Sequence, residues 1–259
     1  SIHKPTVLVL GSTGQTGRLI IEELNREPGS VHLRLSSRKR EEVERLCLDG
    51  HEAVYLDLDD PHSFGLALAG VERLYLLTGY TVDMLVQSKT LVDAARKAGV
   101  KHIVHQGIFG EWDCTDPHFA WHQLIERYIE TSGITWTHIH PNYFMENLLN
   151  VTPLRSGMFP MFCGDRRLGW IALRDLAMVA ATVLREGPEK HGGQNDWLST
   201  EALNGSEVAA ILSKVLGREI RAELKEPDDL QELLALMGGK IESKYGEGAV
   251  EFMRQVLDG

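Results

Sequence analysis

Short apolar runs alternate with amphipathic stretches along the first 140 residues, as expected for strands separated by helices. The first run, at residues 6–10, is mostly apolar or β-branched and predicts a strand buried on both faces. Further strands are predicted at residues 31–36, 52–61 (ending in an acid-rich loop), 73–77, 102–105 and 135–140. Helices are predicted at residues 15–26, 63–68, 84–98 and 118–131. This alternation predicts a doubly wound parallel sheet.

The alternation ends at Pro141, after which short helices mix with loops, apart from a strong helix at residues 173–185. The predicted fold class is therefore α/β, with a Rossmann-type doubly wound parallel sheet and a small, discontinuous α+β substrate lobe. We assign residues 1–140 and 163–187 to an NAD(P)-binding Rossmann domain and residues 141–162 and 188–259 to the substrate-binding lobe. The amphipathic tail at 230–257 is expected to pack against the core.

Three glycines follow the first strand at intervals of three residues. Gly11 permits a sharp turn, Gly14 lets the backbone approach a diphosphate, and Gly17 lets the next helix pack closely on the strand. The free amides at the start of that helix are suited to binding phosphates. Because a strand precedes the motif and a helix follows it, the pattern predicts nucleotide binding, with a purely structural turn as the alternative.

The end of the second predicted strand indicates which nucleotide binds. NAD sites usually place an acidic residue here for the ribose 2′-hydroxyl, whereas this chain has Arg38 and Lys39 after Ser37. Positive charge suits a 2′-phosphate, so we predict NADP(H); the alternative is a solvated helix start. Asp57 either bonds the adenine or belongs to a loop whose neighbours cap the next helix. The residues expected to contact the cofactor are Gly11, Ser12, Thr13, Gly14, Gln15, Thr16, Gly17, Arg38, Lys39, Asp57, Leu58, Thr78, Gly79, Gly107, His122, Pro141, Tyr143 and Phe144.

Composition and charge exclude several other functions. A net charge of −10 leaves no broad basic surface, which argues against nucleic acid as a partner. No apolar run approaches the roughly 20 residues that span a bilayer, so we expect no membrane partner. The first apolar run is also too short for a signal peptide. The three cysteines are few and lack the spacing of a metal site, so we predict a reducing, cytoplasmic location and no metal.

Several motifs together resemble the NmrA-like family of atypical short-chain dehydrogenase/reductases. The segments that carry the resemblance are residues 11–17, 56–60, 101–104, 132–137, 141–148, 174–177 and 215–218. The family includes quinone, dye and imine reductases and redox-sensing regulators. The resemblance spans residues 6 to about 218 and implies a nucleotide-binding fold with reductase activity.

The chain departs from the family's pattern at positions that bear on mechanism. Gly107 stands where the family often has Ser, His122 where a Lys commonly contacts the nicotinamide ribose, and His140 where Arg is usual. Neither Tyr128 nor Tyr143 is followed by Lys four residues later, so the ordinary Ser–Tyr–Lys proton machinery is missing. The proton donor is therefore left open.

Histidines are concentrated around the expected nicotinamide end, with six of the eleven between residues 102 and 140. Histidine donates protons near neutral pH, and His118 and His122 share a helical face. We therefore name His122, His118 and Tyr143 as candidate catalytic residues. Two alternatives for the histidines are a metal site and a polar seam against the sheet.

Aromatic and methionine side chains are dense in the segments expected to frame the pocket, and several lie in irregular connections. These residues are Trp112, Phe119, Trp121, Tyr143, Phe144, Met145, Phe159, Met161, Phe162 and Trp170. They favour a small aromatic or conjugated substrate, such as a quinone, aromatic imine or iminium, enone or dye, reduced by hydride from NADPH. The alternatives are a non-catalytic NADP(H)-binding redox sensor and a non-redox isomerase or lyase. A homodimer is also expected.

Overall fold

The computed structural model describes residues 3–110, 113–150, 154–236 and 242–259. Its strands are β1 (Thr6–Val9), β2 (His32–Ser37), β3 (Glu52–Tyr55), β4 (Arg73–Leu76), β5 (His102–Gln106), β6 (Thr135–Pro141), β7 (Tyr143–Phe144), β8 (Met158–Met161), β9 (Leu168–Ile171), β10 (Gln194–Leu198), β11 (Glu201–Leu203) and β12 (Arg221–Leu224). Its helices are α1 (Gln15–Asn25), α2 (Arg40–Leu48), α3 (Phe64–Leu68), α4 (Asp83–Ala98), α5 (Pro117–Thr131), α6 (Asn147–Asn150), α7 (Leu173–Glu186), α8 (Pro188–His191), α9 (Gly205–Leu216), α10 (Pro227–Leu236) and α11 (Ser243–Asp258).

Seven strands form one parallel sheet in the order β3-β2-β1-β4-β5-β6-β10. The doubly wound sheet predicted from the sequence is confirmed. The direction of winding reverses between β1 and β4, which leaves a crevice beyond their carboxyl ends. In sheets of this kind, nucleotides bind in that crevice.

The apolar sequence of β1 follows from its position at the centre of the sheet. Val7 and Val9 pack in one core with α1 and α7, whereas Leu8 packs in the opposite core with α3, α4 and α5. Successive side chains of a strand point to opposite faces, so a strand covered on both faces needs apolar residues at each position.

Helix α5 carries both candidate histidines, and the local sequence specifies where it begins. The Asp116 side chain accepts a hydrogen bond from the amide of Phe119 at 3.3 Å, and Pro117 occupies the first helical position. This start places His118 and His122 one turn apart, so they face the same neighbouring elements.

The rest of the chain forms a three-stranded sheet in the order β11-β9-β7, a parallel pair of β8 with β12, and helices α9, α10 and α11. Strand β10 lies in the segment that we assign to the lobe, but it pairs with β6 in the main sheet. Strand β9 lies in the segment that we assign to the nucleotide-binding domain, and it pairs with β7 and β11 outside the main sheet. The division into domains stays a prediction. Across the described ranges, no helix is both long and apolar enough to cross a membrane.

Candidate active site

The turn between β1 and α1 requires glycine at two positions. Gly11 has a φ of 69°, which residues with a Cβ seldom adopt. A Cβ on Gly17 would lie 2.1 Å from the carbonyl oxygen of Gly11, so only glycine lets α1 approach the turn this closely. Gly14 occupies the N-cap of α1 and brings no side chain to the first amides. These amides therefore suit an anion such as a diphosphate.

Ser12 points into the protein rather than towards the crevice. Its Oγ donates to the carbonyl oxygen of Val9 at 2.6 Å and accepts from the amide of Ser36 at 2.9 Å. The residue is only 4% exposed, so its side chain fixes the turn against β2. A contact between Ser12 and the cofactor stays a prediction. The other predicted polar residues of the turn, Thr13, Gln15 and Thr16, are exposed or half-buried.

The predicted phosphate-binding cations lie just past the end of β2. Helix α2 begins after them, with Lys39 at its N-cap, so Arg38 is outside the helix. The exposed Arg38 side chain forms no hydrogen bond or ion pair with the described part of the chain. Lys39 lies 3.8 Å from the Glu42 carboxylate, which accepts a hydrogen bond from Ser37 at 2.6 Å. That bond, opposed by desolvation, lowers the Glu42 pKa, so the carboxylate is charged beside Lys39.

The acidic loop after β3 is held by its own side chains. Asp57 Oδ1 accepts from the amide of Asp59 at 3.0 Å, and Asp60 Oδ1 accepts from the amide of His62 at 3.2 Å. Asp60 therefore caps the short helical turn that follows, as one alternative predicted. Leu58 packs against the core. A contact between Asp57 and adenine stays a prediction.

A cavity of about 280 Å³ opens beyond the carboxyl ends of β4, β5 and β6. Seven of the predicted cofactor-binding and catalytic residues line it, namely Thr78, Gly107, His118, His122, Pro141, Tyr143 and Phe144. The remaining wall is mostly apolar, with Phe109, Phe119, Leu233 and Phe252 among its side chains. Such a wall suits a planar apolar ligand.

The cavity and the glycine turn are neighbours. A Cβ on Gly11 would lie 3.2 Å from the Leu77 side chain, and Leu77 lines the cavity. Within the described ranges, the remaining predicted cofactor residues do not line the cavity; they lie at or beyond the carboxyl ends of β1 to β4. A dinucleotide bound along this edge of the sheet would therefore extend from Arg38 past the turn to the cavity.

His118 and His122 both lie in the cavity wall and face the C-terminal helix α11. His122 is 5% exposed, and its Nε2 lies 3.2 Å from the hydroxyl of Tyr245. Burial, with smaller effects from neighbouring histidines, lowers its pKa well below the ordinary value. Burial lowers the pKa of His118 to about 4, opposed by a hydrogen bond to the Tyr245 backbone. Both imidazoles are therefore neutral at pH 7 and are poor cationic acids.

The strand histidines form a separate buried group. Nδ1 of His105 lies 3.1 Å from Nδ1 of His138, and both side chains are fully buried in the sheet. Nε2 of His102 lies 2.8 Å from the hydroxyl of Thr137. Among the described residues, no three His, Cys, Asp or Glu side chains are grouped closely enough to hold a metal ion.

Tyr143 is the third candidate catalytic residue and also faces the cavity. Burial raises its pKa to about 12, opposed by a hydrogen bond to Asn147. Its ring packs edge-on against Trp170, with 5.1 Å between ring centroids. Of the other expected aromatic residues, Phe119 and Phe144 line the cavity, whereas Trp121, Phe159 and Trp170 pack in the cores. Trp112 lies outside the described residues.

Gly107, where the family often has Ser, has a structural explanation. A Cβ there would lie 2.6 Å from Oε1 of Glu126 and 3.3 Å from Nδ1 of His140. His140 donates through Nδ1 to the carbonyl oxygen of Ile108 at 3.0 Å. Burial raises the pKa of Glu126 to about 7. The buried Glu126–His140 pair therefore occupies the space that a serine side chain would need.

The sequence did not identify Tyr245, which lines the cavity. The amphipathic pattern of the tail indicated core packing, and this is correct for Val250 and Met253. The same helix, α11, also presents Tyr245 and Phe252 to the cavity. The interruption of the helical pattern by Gly246 and Gly248 is the signal that could have indicated a close approach.

Comparisons with known proteins agree with this geometry. The model of a family described as "NmrA-like family" matches residues 3–255, and the chain therefore belongs to the NmrA-like family. The resemblance inferred from the sequence motifs is confirmed. An NAD(P)H azoreductase of Xenophilus azovorans is 32% identical over 83% of this chain and 75% of its own length.

Solved structures of reductases share the fold. The triphenylmethane reductase of Citrobacter sp. complexed with NADP(H) has a TM-score of 0.81 at 25% identity, covering 98% of this chain and 90% of that one. The NADPH-dependent quinone oxidoreductase of Escherichia coli complexed with NADPH has a TM-score of 0.80 at 26% identity, covering 97% and 90%.

Proposed function

We propose that this protein is an NADPH-dependent reductase that transfers hydride to a planar, apolar, unsaturated small molecule. The observation that carries the proposal is the position of Leu77, which lines the apolar cavity and lies next to Gly11 of the glycine turn. A nucleotide bound at the turn would therefore reach a substrate-sized pocket. Relatives and structural neighbours named as azo, quinone and dye reductases support the same class. The candidate substrates are quinones, dyes, aromatic imines or iminium ions, and enones.

The residues of the crevice fit NADP(H). The space beside Gly17, which a Cβ would fill, lets the amides of the first turn of α1 approach a diphosphate. Arg38, with no partner in the described chain, would bind the 2′-phosphate, and Lys39 would add charge. Thr78, Gly107 and Pro141 would hold the nicotinamide end. When bound, NADPH supplies the hydride from C4 of its nicotinamide.

The chain's own contribution is positioning and exclusion of water. Phe119, Leu233 and Phe252 would hold a planar substrate against the nicotinamide, and their apolar surfaces keep water from the hydride. His122, His118 and Tyr143 stay the catalytic residues proposed from the sequence. An iminium ion or a triarylmethane dye cation needs no proton at all, so the missing Ser–Tyr–Lys machinery does not prevent its reduction.

The test is the loss of NADPH absorbance in the presence of a naphthoquinone, an azo dye, a triarylmethane dye cation and an aromatic imine. We expect turnover of at least one of them, faster with NADPH than with NADH. Tight NADPH binding without turnover of any substrate would contradict the proposal and favour the redox-sensor alternative. A redox sensor must bind NADP⁺ and NADPH with different affinities, and isothermal titration would measure this difference. A homodimer and a cytoplasmic location stay predictions.

A further inference from the structure

We propose that the hydroxyl of Tyr245 donates the proton for substrates whose reduction creates a basic oxygen or nitrogen. This inference rests on the proposed reductase function and concerns a residue that the sequence patterns did not identify. It assigns the acid that the missing Ser–Tyr–Lys machinery leaves open.

Helices α11 and α5 together position Tyr245. Helix α11 carries it into the cavity wall, where it is 5% exposed. A Cβ on Gly248 would lie 2.2 Å from Cβ of His118, so glycine is what allows α11 to seat against the start of α5. The His118 ring packs on the Tyr245 ring, with 4.3 Å between ring centroids. The phenol is therefore held in place on one side.

The hydrogen bond to His122 decides which way the phenol proton points. Nδ1 of His122 is buried and has no hydrogen-bond partner in the described part of the chain. A buried N–H without an acceptor is rarer than a buried acceptor without a donor, so the imidazole proton belongs on Nε2. Nε2 then donates to the Tyr245 oxygen across 3.2 Å. The O–H of Tyr245 remains available to donate to a ligand in the cavity.

The charge state of this wall also suits a phenol donor. Burial raises the pKa of Tyr245, with smaller contributions from Tyr80 and Asp116, so the phenol is protonated at pH 7. The facing His118 and His122 are neutral at that pH because burial lowers the pKa of each. Tyr245 can therefore donate a proton in this part of the cavity. Nε2 of His122 already donates a hydrogen bond to its oxygen and can stabilise the phenolate that remains.

The step balances in atoms and charge. The hydride forms a bond to one atom of the substrate's double-bond system, and the displaced π electrons move to a carbonyl oxygen or azo nitrogen. That atom takes the proton of Tyr245 as the O–H bond breaks. The phenolate accepts a hydrogen bond from Nε2 of His122 and recovers a proton from water after the product leaves. A triarylmethane cation takes the hydride at its central carbon and is then neutral, so it requires no proton.

This difference between substrates provides the experiment. Turnover of a naphthoquinone and of a triarylmethane dye cation is measured with saturating NADPH for the wild type, Tyr245→Phe and Tyr128→Phe. Tyr128 lies on α5, and its hydroxyl donates to Asp93 at 2.6 Å; it is not among the described residues that line the cavity. We expect Tyr245→Phe to lower kcat for the quinone about a hundredfold and to change kcat for the cation less than about twofold. Tyr128→Phe should change neither.

A second measurement does not depend on how well a variant folds. The wild type should turn over the quinone more slowly in deuterated water, and it should reduce the cation at equal rates in both solvents. Equal losses for both substrates in Tyr245→Phe, or no loss for the quinone, would overturn the assignment, as would absence of the solvent effect. Reduction of the cation alone by the wild type would overturn it too. A wild type that reduces none of the four substrates named for the proposed function would instead contradict that function.

Discussion

Oε1 of Glu126 lies 3.5 Å from Nδ1 of His140, and both side chains are almost completely buried. The pair joins helix α5 to strand β6 behind the cavity wall. His140 also stacks on Trp197 of β10, with 4.0 Å between ring centroids. A carboxyl group buried to this extent is expected to affect how the free energy of unfolding depends on pH.

Glu126→Gln should remove part of the pH dependence of the free energy of unfolding. Burial raises the native-state pKa of Glu126 from 4.5 to about 7, so the native state holds a proton that the unfolded state has lost in this interval. The wild-type free energy of unfolding therefore decreases as pH rises from about 4.5 to about 7. The free energy of unfolding of Glu126→Gln should therefore rise by about 3 kcal/mol relative to that of the wild type across this pH interval.

Urea unfolding at a series of pH values measures this difference. Glu22→Gln on α1, whose side chain is largely exposed, is the matched control for removing one carboxyl group from a helix. If the free energies of unfolding of Glu126→Gln and the wild type differed by the same amount at every pH, the raised pKa of Glu126 would be contradicted.

Gly107→Ser restores the residue that the family often carries, and it should destabilise this protein. The new Cβ would lie 2.6 Å from Oε1 of Glu126, and overpacking of this kind costs about 1–3 kcal/mol. In a Glu126→Ala background the obstacle is gone, so the same substitution should cost clearly less. A double-mutant cycle from urea unfolding measures the coupling. Additive effects of the two substitutions would show that Glu126 is not the obstacle.

Gly17→Ala should weaken NADPH binding at least about tenfold, because α1 must move away from Gly11 and its first amides move with it. Gly65→Ala is the matched control, since a Cβ at that helical position would meet no described atom within 4 Å beyond its chain neighbours and the nearby backbone of its own helix. Isothermal titration of NADPH into each variant, with thermal unfolding to check the fold, gives the comparison. Unchanged affinity in a folded Gly17→Ala protein would exclude the glycine turn as the phosphate site.

Arg38→Ala should change the choice of coenzyme. Loss of a charged hydrogen bond to the 2′-phosphate should weaken NADPH binding about ten- to hundredfold and leave NADH binding unchanged. Arg40→Ala is the control, because the Arg40 guanidinium already stacks 3.9 Å above the Tyr55 ring. Dissociation constants for both coenzymes measure the effect. An equal loss of NADPH affinity in Arg40→Ala would contradict the assignment of the phosphate to Arg38.

The larger features of the fold follow from local patterns in the sequence. Strands β1 to β6 and most of the helices between them were predicted, because hydrophobic period and turn chemistry are properties of neighbouring residues. Much of the cavity wall was predicted for a related reason. The carboxyl ends of parallel strands meet at one edge, so Thr78, Gly107 and Pro141 had to lie near one another.

The failures share a different cause. Strands such as β7 and β11 are too short to show a period, and β10 is recognised only by its pairing with β6. Ser12 turns inward because β1 and β2 are adjacent, which no local pattern shows. The amphipathic tail could not reveal that Tyr245 reaches His122, which is 123 residues away in the sequence.

The sequence by itself determined the parallel sheet, the glycine turn and the cations beyond β2, since backbone sterics and hydrophobic period act over a few residues. Only the tertiary structure decided that Glu126 excludes a side chain at position 107 and that Tyr245 meets His122 in the cavity. Those contacts join segments distant along the chain, and their distances are set by how helices α5 and α11 pack against each other and against the sheet.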